Sequence, residues 1–271
     1  MSVRKIVRRV NENIIYGPVN SRRFGVSLGI NLSGKGKYCS FNCPYCFRGF
    51  NQGRPDQKEF REDLPTCDQV ITALKSWLKT EGHENIQDWT IAGNAEPTDN
   101  PEFPLVVKAL IELRFRLKQE VKITVLTNGM GLISHLNSAH NHVRLALEQV
   151  DRACLKLDSG QPDSWQKIAR PFNGVTFSEW LAAVEKVRRP ILQTLFFQGR
   201  IDNTTPFELE KLQKCYHYLK PVDFHVLTIN KQPADSRLKP IEPERLKEIE
   251  DILRESIMAP EKGGKNDSLK C

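Results

Sequence analysis

A chain of 271 residues with 39% hydrophobic and 27% charged side chains is large enough for one big folded domain or two small ones, and too apolar for general disorder. No stretch approaches the roughly 18 apolar residues of a membrane span, and the basic Met1–Val10 lacks the apolar run of a secretory signal, so neither export nor membrane insertion is expected and the expected location is the cytoplasm. The formal net charge of +7 is unevenly placed, since residues 1–54 hold ten Lys and Arg against the single acid Glu12, leaving 30 basic and 32 acidic residues beyond. Such a basic region suits an acidic electron-transfer partner or a polyanion such as RNA; an ordinary solvated surface accounts for it equally well.

In chain order, Val3, Ile6, Val7 and Val10 follow helical spacing among arginines, which fits a short surface helix or a transit peptide. Strands are predicted over Gly25–Leu32, Asp88–Ala92, Val121–Thr127, Ala153–Leu157, Leu192–Phe197 and Phe224–Ile229, short and largely apolar as buried parallel strands are. Between them, helices are predicted over Cys67–Thr80, Pro101–Leu117, His142–Glu148, Phe177–Val187, Pro206–Leu219 and Pro243–Ser256. Several of these start at a proline or behind a Thr or Ser cap. Strands alternating with helices mean repeated βα units around a mostly parallel sheet. We expect an N-terminal extension over 1–20, one domain over 21–257, and a Lys- and Gly-rich disordered tail over 258–271.

Seven cysteines without an export signal read as metal ligands, catalytic thiols or buried small hydrophobes before they read as disulfides. Three crowd into Cys39-Ser40-Phe41-Asn42-Cys43-Pro44-Tyr45-Cys46, in a loop context of Gly34, Gly36, Asn42 and Pro44. A structural zinc site uses four ligands, and no nearby Cys or His supplies the fourth at the usual offsets. Three thiolates instead suit a [4Fe–4S] cube with one iron left open, whereas ordinary electron-transfer clusters take four cysteines. A zinc ion with a remote fourth ligand is the alternative.

C-x3-C-x2-C with an aromatic residue, Tyr45, before the last cysteine resembles the signature of the radical-SAM superfamily. The likeness runs from Tyr16-Gly17-Pro18-Val19-Asn20-Ser21-Arg22-Arg23 to Thr205 and is similar to the wyosine-synthetase-like group of iron–sulfur oxidoreductases, although residues 1–38 lack the additional cluster cysteines of wyosine synthetases. The resemblance implies an α/β fold, a partial (β/α)6 barrel with the cysteine loop at the C-terminal mouth. It implies Cys39, Cys43 and Cys46 as cluster ligands and S-adenosylmethionine on the open iron, cleaved reductively to a 5′-deoxyadenosyl radical that abstracts hydrogen from a substrate. It also implies an acidic reductant such as flavodoxin or ferredoxin. Tyr45 and Phe47 would lie near the adenine.

Ala92-Gly93-Asn94-Ala95-Glu96-Pro97-Thr98 resembles the family's G-x-G-E-P segment, which implies that Gly93, Asn94, Ala95 and Glu96 cradle the methionine amino group; Ala95 stands where glycine is usual and is less free to adopt positive φ. Thr127 and Asn128, in a T-N-G segment ending the third predicted strand, would border the same pocket. Period-two alternation puts Cys154, Lys156 and Asp158 on one face of the fourth predicted strand. Lys156 and Asp158 pair with each other or contact cofactor or substrate, and Cys154 either faces the reaction chamber or is a small buried hydrophobe. Arg170, and Arg200, Asp202 and Asn203 near the mouth, complete the resemblance. His135, His140 and His142 lack ligand companions and are assigned no role. The substrate, small molecule or nucleic acid, stays open. Two other functions compete with an enzyme: an iron–sulfur electron-transfer or binding module, and a zinc-stabilised RNA-binding protein.

Overall fold

The structure, a computed structural model, describes residues 13–82 and 85–258. The helical pattern at Val3–Val10 and the tail from residue 259 lie outside them. A seven-stranded sheet is formed by β1 (Ile15–Ser21), β2 (Gly25–Ile30), β3 (Asp88–Ile91), β4 (Lys122–Thr127), β5 (Arg152–Lys156), β6 (Ile191–Phe196) and β8 (Asp223–Thr228), in the spatial order β1-β2-β3-β4-β5-β6-β8. β2, β3, β4, β5, β6 and β8 run parallel, and β1 pairs antiparallel to β2. The six predicted strands are the six parallel ones, each displaced by at most two residues at an end.

Ile15–Ser21, placed by the sequence reading mostly in an extension, is an edge strand. It contains Gly17 and Pro18, shifts register between Tyr16 and Val19, and exposes most of its residues. An edge position tolerates all three, and none produces a readable apolar alternation.

Helices α1 (Lys58–Glu62), α2 (Cys67–Glu81), α3 (Phe103–Arg116), α4 (His140–Gln149), α5 (Pro162–Ala169), α6 (Phe177–Val184), α7 (Pro206–Leu219) and α8 (Pro243–Met258) occupy the connections. Thr66 and Thr176 close capping boxes with Gln69 and Glu179, and Thr205 accepts the N–H of Glu208, which explains why α2, α6 and α7 start where expected. Neither α1 nor α5 is among the helices predicted from the sequence. α5 is capped by Gln161, outside the usual capping residues. Strands β7 (Gln198–Gly199) and β9 (Leu238–Lys239) form a separate two-stranded ribbon.

The main core lies between sheet and helices, with Trp89, Trp165, Trp180, Tyr216 and Phe103 fully buried in it. The sheet curls. At the N-terminal ends of the parallel strands the β1–β2 turn reaches β8, where the Arg23 guanidinium donates to the Val226 carbonyl at 2.6 Å and the Phe24 ring meets His225 edge-on at 5.7 Å. β1 and β8 are not paired, so the curl is an incomplete barrel, as expected. Because the six strands are parallel, the loops that follow them all leave at one end, where barrel folds build their sites.

Candidate active site

The loop after β2 carries the three cysteines and is held by side chains rather than by regular structure. Asn51 Nδ2 donates to the Cys39 carbonyl at 2.7 Å and the Phe41 carbonyl at 3.2 Å, while its Oδ1 accepts the Cys39 N–H at 3.3 Å. The Asn42 N–H donates to Ala169 O at 2.9 Å and the Phe172 N–H to Ser40 O at 3.0 Å, tying the loop to the end of α5. Pro44 O accepts the Asp235 N–H at 2.9 Å from the loop after β8. Asp99 accepts the Ser40 N–H at 2.9 Å. Asn51 and Asp99 were missed by the sequence reading, since a lone loop Asn and an Asp after Pro-Thr carry no spacing signal.

The thiols of Cys39, Cys43 and Cys46 line one cavity of about 400 Å³ inside the mouth. Tyr45, Gly93, Asn94, Ala95, Glu96, Thr127, Asn128 and Lys156 line it too. Burial raises the Cys39 thiol well above its ordinary pKa, reinforced by Asp99, and burial pushes Cys43 up to about 12. Bare thiolates are therefore disfavoured there, and a metal must displace the protons. Among the described residues no three His, Cys, Asp or Glu side chains converge as a single metal ion requires. Three soft thiols on one loop, lining one cavity, suit an iron–sulfur cluster, which takes one thiolate per iron.

Gly93 is required by close approach, because a Cβ there would lie 1.9 Å from Asn31 Oδ1. Ala95 is not in the positive-φ region, so alanine in place of the usual glycine brings no backbone strain. Glu96 is a brace. Its carboxylate accepts the Asn128 N–H at 2.6 Å, the Thr98 N–H at 3.1 Å, the Thr98 hydroxyl at 2.6 Å and the Thr127 hydroxyl, locking the loop after β3 to that after β4. Burial raises the pKa of Glu96 against these donors, and burial with the neighbouring Glu96 raises that of Asp99 well above the usual range. Trp180 Nε1 donates to Asn128 O at 2.7 Å and holds the second loop from behind. Tyr16 also lines the cavity. Its ring lies over Gly29, where a Cβ would come within 2.1 Å of it, and its hydroxyl donates to Ala92 O at 3.2 Å.

Asp158 is not in the cavity wall. It pairs with Lys156 Nζ at 3.0 Å and accepts the Tyr45 hydroxyl at 2.5 Å and the Leu195 N–H at 2.8 Å. Burial raises the Tyr45 pKa well above its ordinary value, reinforced by Asp158, so the phenol stays a neutral donor. Asp158 thus positions Tyr45 and Lys156. Cys154 packs with Phe24, Ile191 and Leu126, and burial pushes its thiol up to about 12; these are the surroundings of a small buried hydrophobe. Asn203 is buried, donating to Asp158 O at 2.8 Å and Leu195 O at 2.9 Å. Arg200 pairs with Asp235 at 3.7 Å, Asp202 caps Thr204, and Arg170 lies over Phe50 at 5.6 Å. None of these four lines the cavity.

Among curated relatives, a UPF0026 protein of Synechocystis sp. is 31% identical over 195 residues, covering 70% of this chain and 67% of that protein. The chain spans from 32% to 72% of the length of the relatives it matches. A radical SAM methyltransferase from Sphaerobacter thermophilus superposes with a TM-score of 0.60 at 18% identity, over 85% of this chain and 63% of that one. TYW1 with a lysine-pyruvate adduct bound superposes with a TM-score of 0.54 at 14% identity, over 84% of this chain and 73% of that one, in line with the expected likeness to wyosine synthetases. No helix of the described residues is long and apolar enough to cross a membrane. Residues 35–191, from the cysteine loop to the start of β6, match the profile of the Radical SAM superfamily, and the chain therefore belongs to that superfamily of enzymes, whose cofactors are a [4Fe–4S] cluster and S-adenosylmethionine.

Proposed function

We propose that this protein is a radical-SAM enzyme in which Cys39, Cys43 and Cys46 hold the cluster and the segments Gly93–Glu96 and Thr127–Asn128 bind S-adenosylmethionine. The carrying observation is that the three thiols and both segments line one cavity at the C-terminal ends of parallel strands. When bound, the cluster supplies the single electron that cleaves the sulfonium carbon–sulfur bond, giving methionine and a 5′-deoxyadenosyl radical for hydrogen abstraction. The chain's residues supply the rest. Glu96 fixes the spacing of the two segments, Asp158 holds Tyr45 beside Cys43, and Asn128 Nδ2 points at Cys39 Sγ, 3.7 Å away. The side chains of Tyr16, Phe41 and Leu126 in the cavity wall would limit water around a bound cofactor. The basic cysteine region suits an acidic flavodoxin- or ferredoxin-type reductant in the cytoplasm.

The test is anaerobic reconstitution followed by iron and sulfide analysis and assay of 5′-deoxyadenosine formed from S-adenosylmethionine under dithionite. About four irons per chain, together with formation of 5′-deoxyadenosine, are expected. Zinc in place of iron, or a cluster that yields no 5′-deoxyadenosine, would overturn the proposal.

A further inference from the structure

Among the described lysines and arginines Lys37 alone is buried, at 2% exposure. It stands two residues before Cys39, on the loop that carries the thiols. Its Nζ donates to the Gly49 carbonyl, and its own carbonyl accepts the Gln52 N–H at 2.9 Å. Residue 37 and the segment 49–52 thereby close the loop on either side of Cys39, Cys43 and Cys46. The Lys37 side chain lines the same cavity as the three thiols.

A lysine ammonium carries three donors and a full charge. The Gly49 carbonyl takes one donor and offers no charge in return, and no carboxylate of the described residues pairs with Lys37. The acids of the site are committed elsewhere. Glu96 accepts from Thr98, Thr127 and Asn128, Asp99 accepts the Ser40 N–H, and Asp158 pairs with Lys156. A buried cation is costly unless an anion meets it. Burial raises the pKa of the Cys39 and Cys43 thiols, with Asp99 and Asp158 adding to it, and Lys37 pulls both down, so its field reaches the sulfur atoms.

Building on the radical-SAM reading, we infer that Lys37 is the buried counter-ion of the iron–sulfur cluster and raises its reduction potential. A [4Fe–4S] core held by three thiolates is anionic, and the single electron it accepts before sulfonium cleavage adds a further negative charge to the cavity. A fixed cation favours the more negative state. Lys37 therefore eases reduction by a donor of the flavodoxin or ferredoxin class while taking no part in bond making. The ammonium is a compact point charge, and the bond to Gly49 O ties it to the same loop as the thiols, so the loop itself sets its distance from the cluster.

The inference is tested by a redox titration of the reconstituted full chain, followed by the electron paramagnetic resonance of the reduced cluster. Lys37→Met removes both charge and donor, Lys37→Gln keeps a donor without the charge, and Lys35→Met removes the same charge from an exposed position on the same loop. At a fixed potential the ratio of reduced to oxidised cluster should fall about tenfold in Lys37→Met and Lys37→Gln, equivalent to about 59 mV for a one-electron couple, and stay at the wild-type value in Lys35→Met. A wild-type potential in both Lys37 variants would overturn the inference, as would an equal shift in Lys35→Met or a shift in Lys37→Met alone, which would mark a lost hydrogen bond. Should neither Lys37 variant take up iron, Lys37→Arg decides: a cluster at the wild-type potential there supports the counter-ion, and failure of all three to load makes Lys37 a brace of the loop and overturns it. Iron content and 5′-deoxyadenosine formation in the wild-type preparation judge the radical-SAM reading separately.

Discussion

The barrel interior is polar at both ends, and the ends differ in whether the polar groups find partners inside the chain. At the lower end the Asp88 carboxylate accepts the hydroxyls of Thr90 and Thr124, each at 2.6 Å, and pairs with Arg152 at 3.0 Å. Arg152 in turn lies over Phe24 at 5.6 Å, and Phe24 closes the floor against Cys154 and Ile191. His225 Nδ1 is the exception, buried without a partner among the described residues; burial and the nearby Arg23 lower the ring's pKa and keep it neutral. At the upper end three thiols, the Gln193 and Asn230 amides and the Lys231 ammonium face the cavity. Closed polar networks give a barrel its floor, and open valences mark where a ligand completes the structure.

The sharpest break of this comparison is loss of one upper thiol. Cys39→Ala, Cys43→Ala or Cys46→Ala should abolish the brown iron–sulfur absorbance and 5′-deoxyadenosine formation while leaving the thermal unfolding of the metal-free protein nearly unchanged. Iron content like wild type in all three would remove the cluster assignment.

The converse change is Asp88→Ala, which strands two hydroxyls and an arginine. It should cost about 3 kcal/mol of stability, as removal of one partner from a buried pair does, and denaturant unfolding of the metal-free form reads it directly. Once folded, the variant should still take up iron. Burial raises the pKa of Asp88 although Thr124, Thr90 and Arg152 pull it down. A carboxyl raised in the folded state favours folding below its unfolded pKa, and that contribution fades as pH rises through the folded value. Asp88→Asn should therefore flatten the decline in stability as pH rises above the ordinary carboxylate range.

Glu96→Gln tests the boundary between the two behaviours, because this upper-end carboxylate is as fully engaged as Asp88. Replacing one oxygen by an NH2 group opposes a donor to a donor. A loss of about 1–2 kcal/mol is expected, together with weaker S-adenosylmethionine binding in equilibrium dialysis. Ala95→Gly should do least. With no positive φ to relieve, it should leave cofactor affinity unchanged and cost under about 1 kcal/mol through backbone entropy; a clear gain in affinity would show that the loop is strained after all.

The sequence by itself determined the six parallel strands, because buried strands at 88–91, 122–127 or 191–196 leave unbroken apolar runs, and the cysteine triplet, because ligand spacing is local. It also named neighbours of that triplet: Tyr45, Phe47, the Gly93–Glu96 and Thr127–Asn128 segments and Lys156 line one cavity with the three cysteines, whereas Cys154, Asp158, Arg170, Arg200, Asp202 and Asn203 do not. Tertiary structure decided what spacing does not encode. Alternation put Asp158 in phase with Lys156, with which it pairs, but it did not reveal the Tyr45 hydroxyl and the Leu195 N–H that the same carboxylate accepts. Glu96 sits in a segment that resembles a cofactor cradle, yet its oxygens are occupied by donors from Thr98, Thr127 and Asn128. Tyr16, Asn51, Asp99 and Lys231 reached the site only through contacts between segments distant in sequence, or at the end of a strand whose depth is set by its neighbours' register. Local pattern records which face a residue occupies; whether its polar atoms are already satisfied depends on what the rest of the chain brings to meet them.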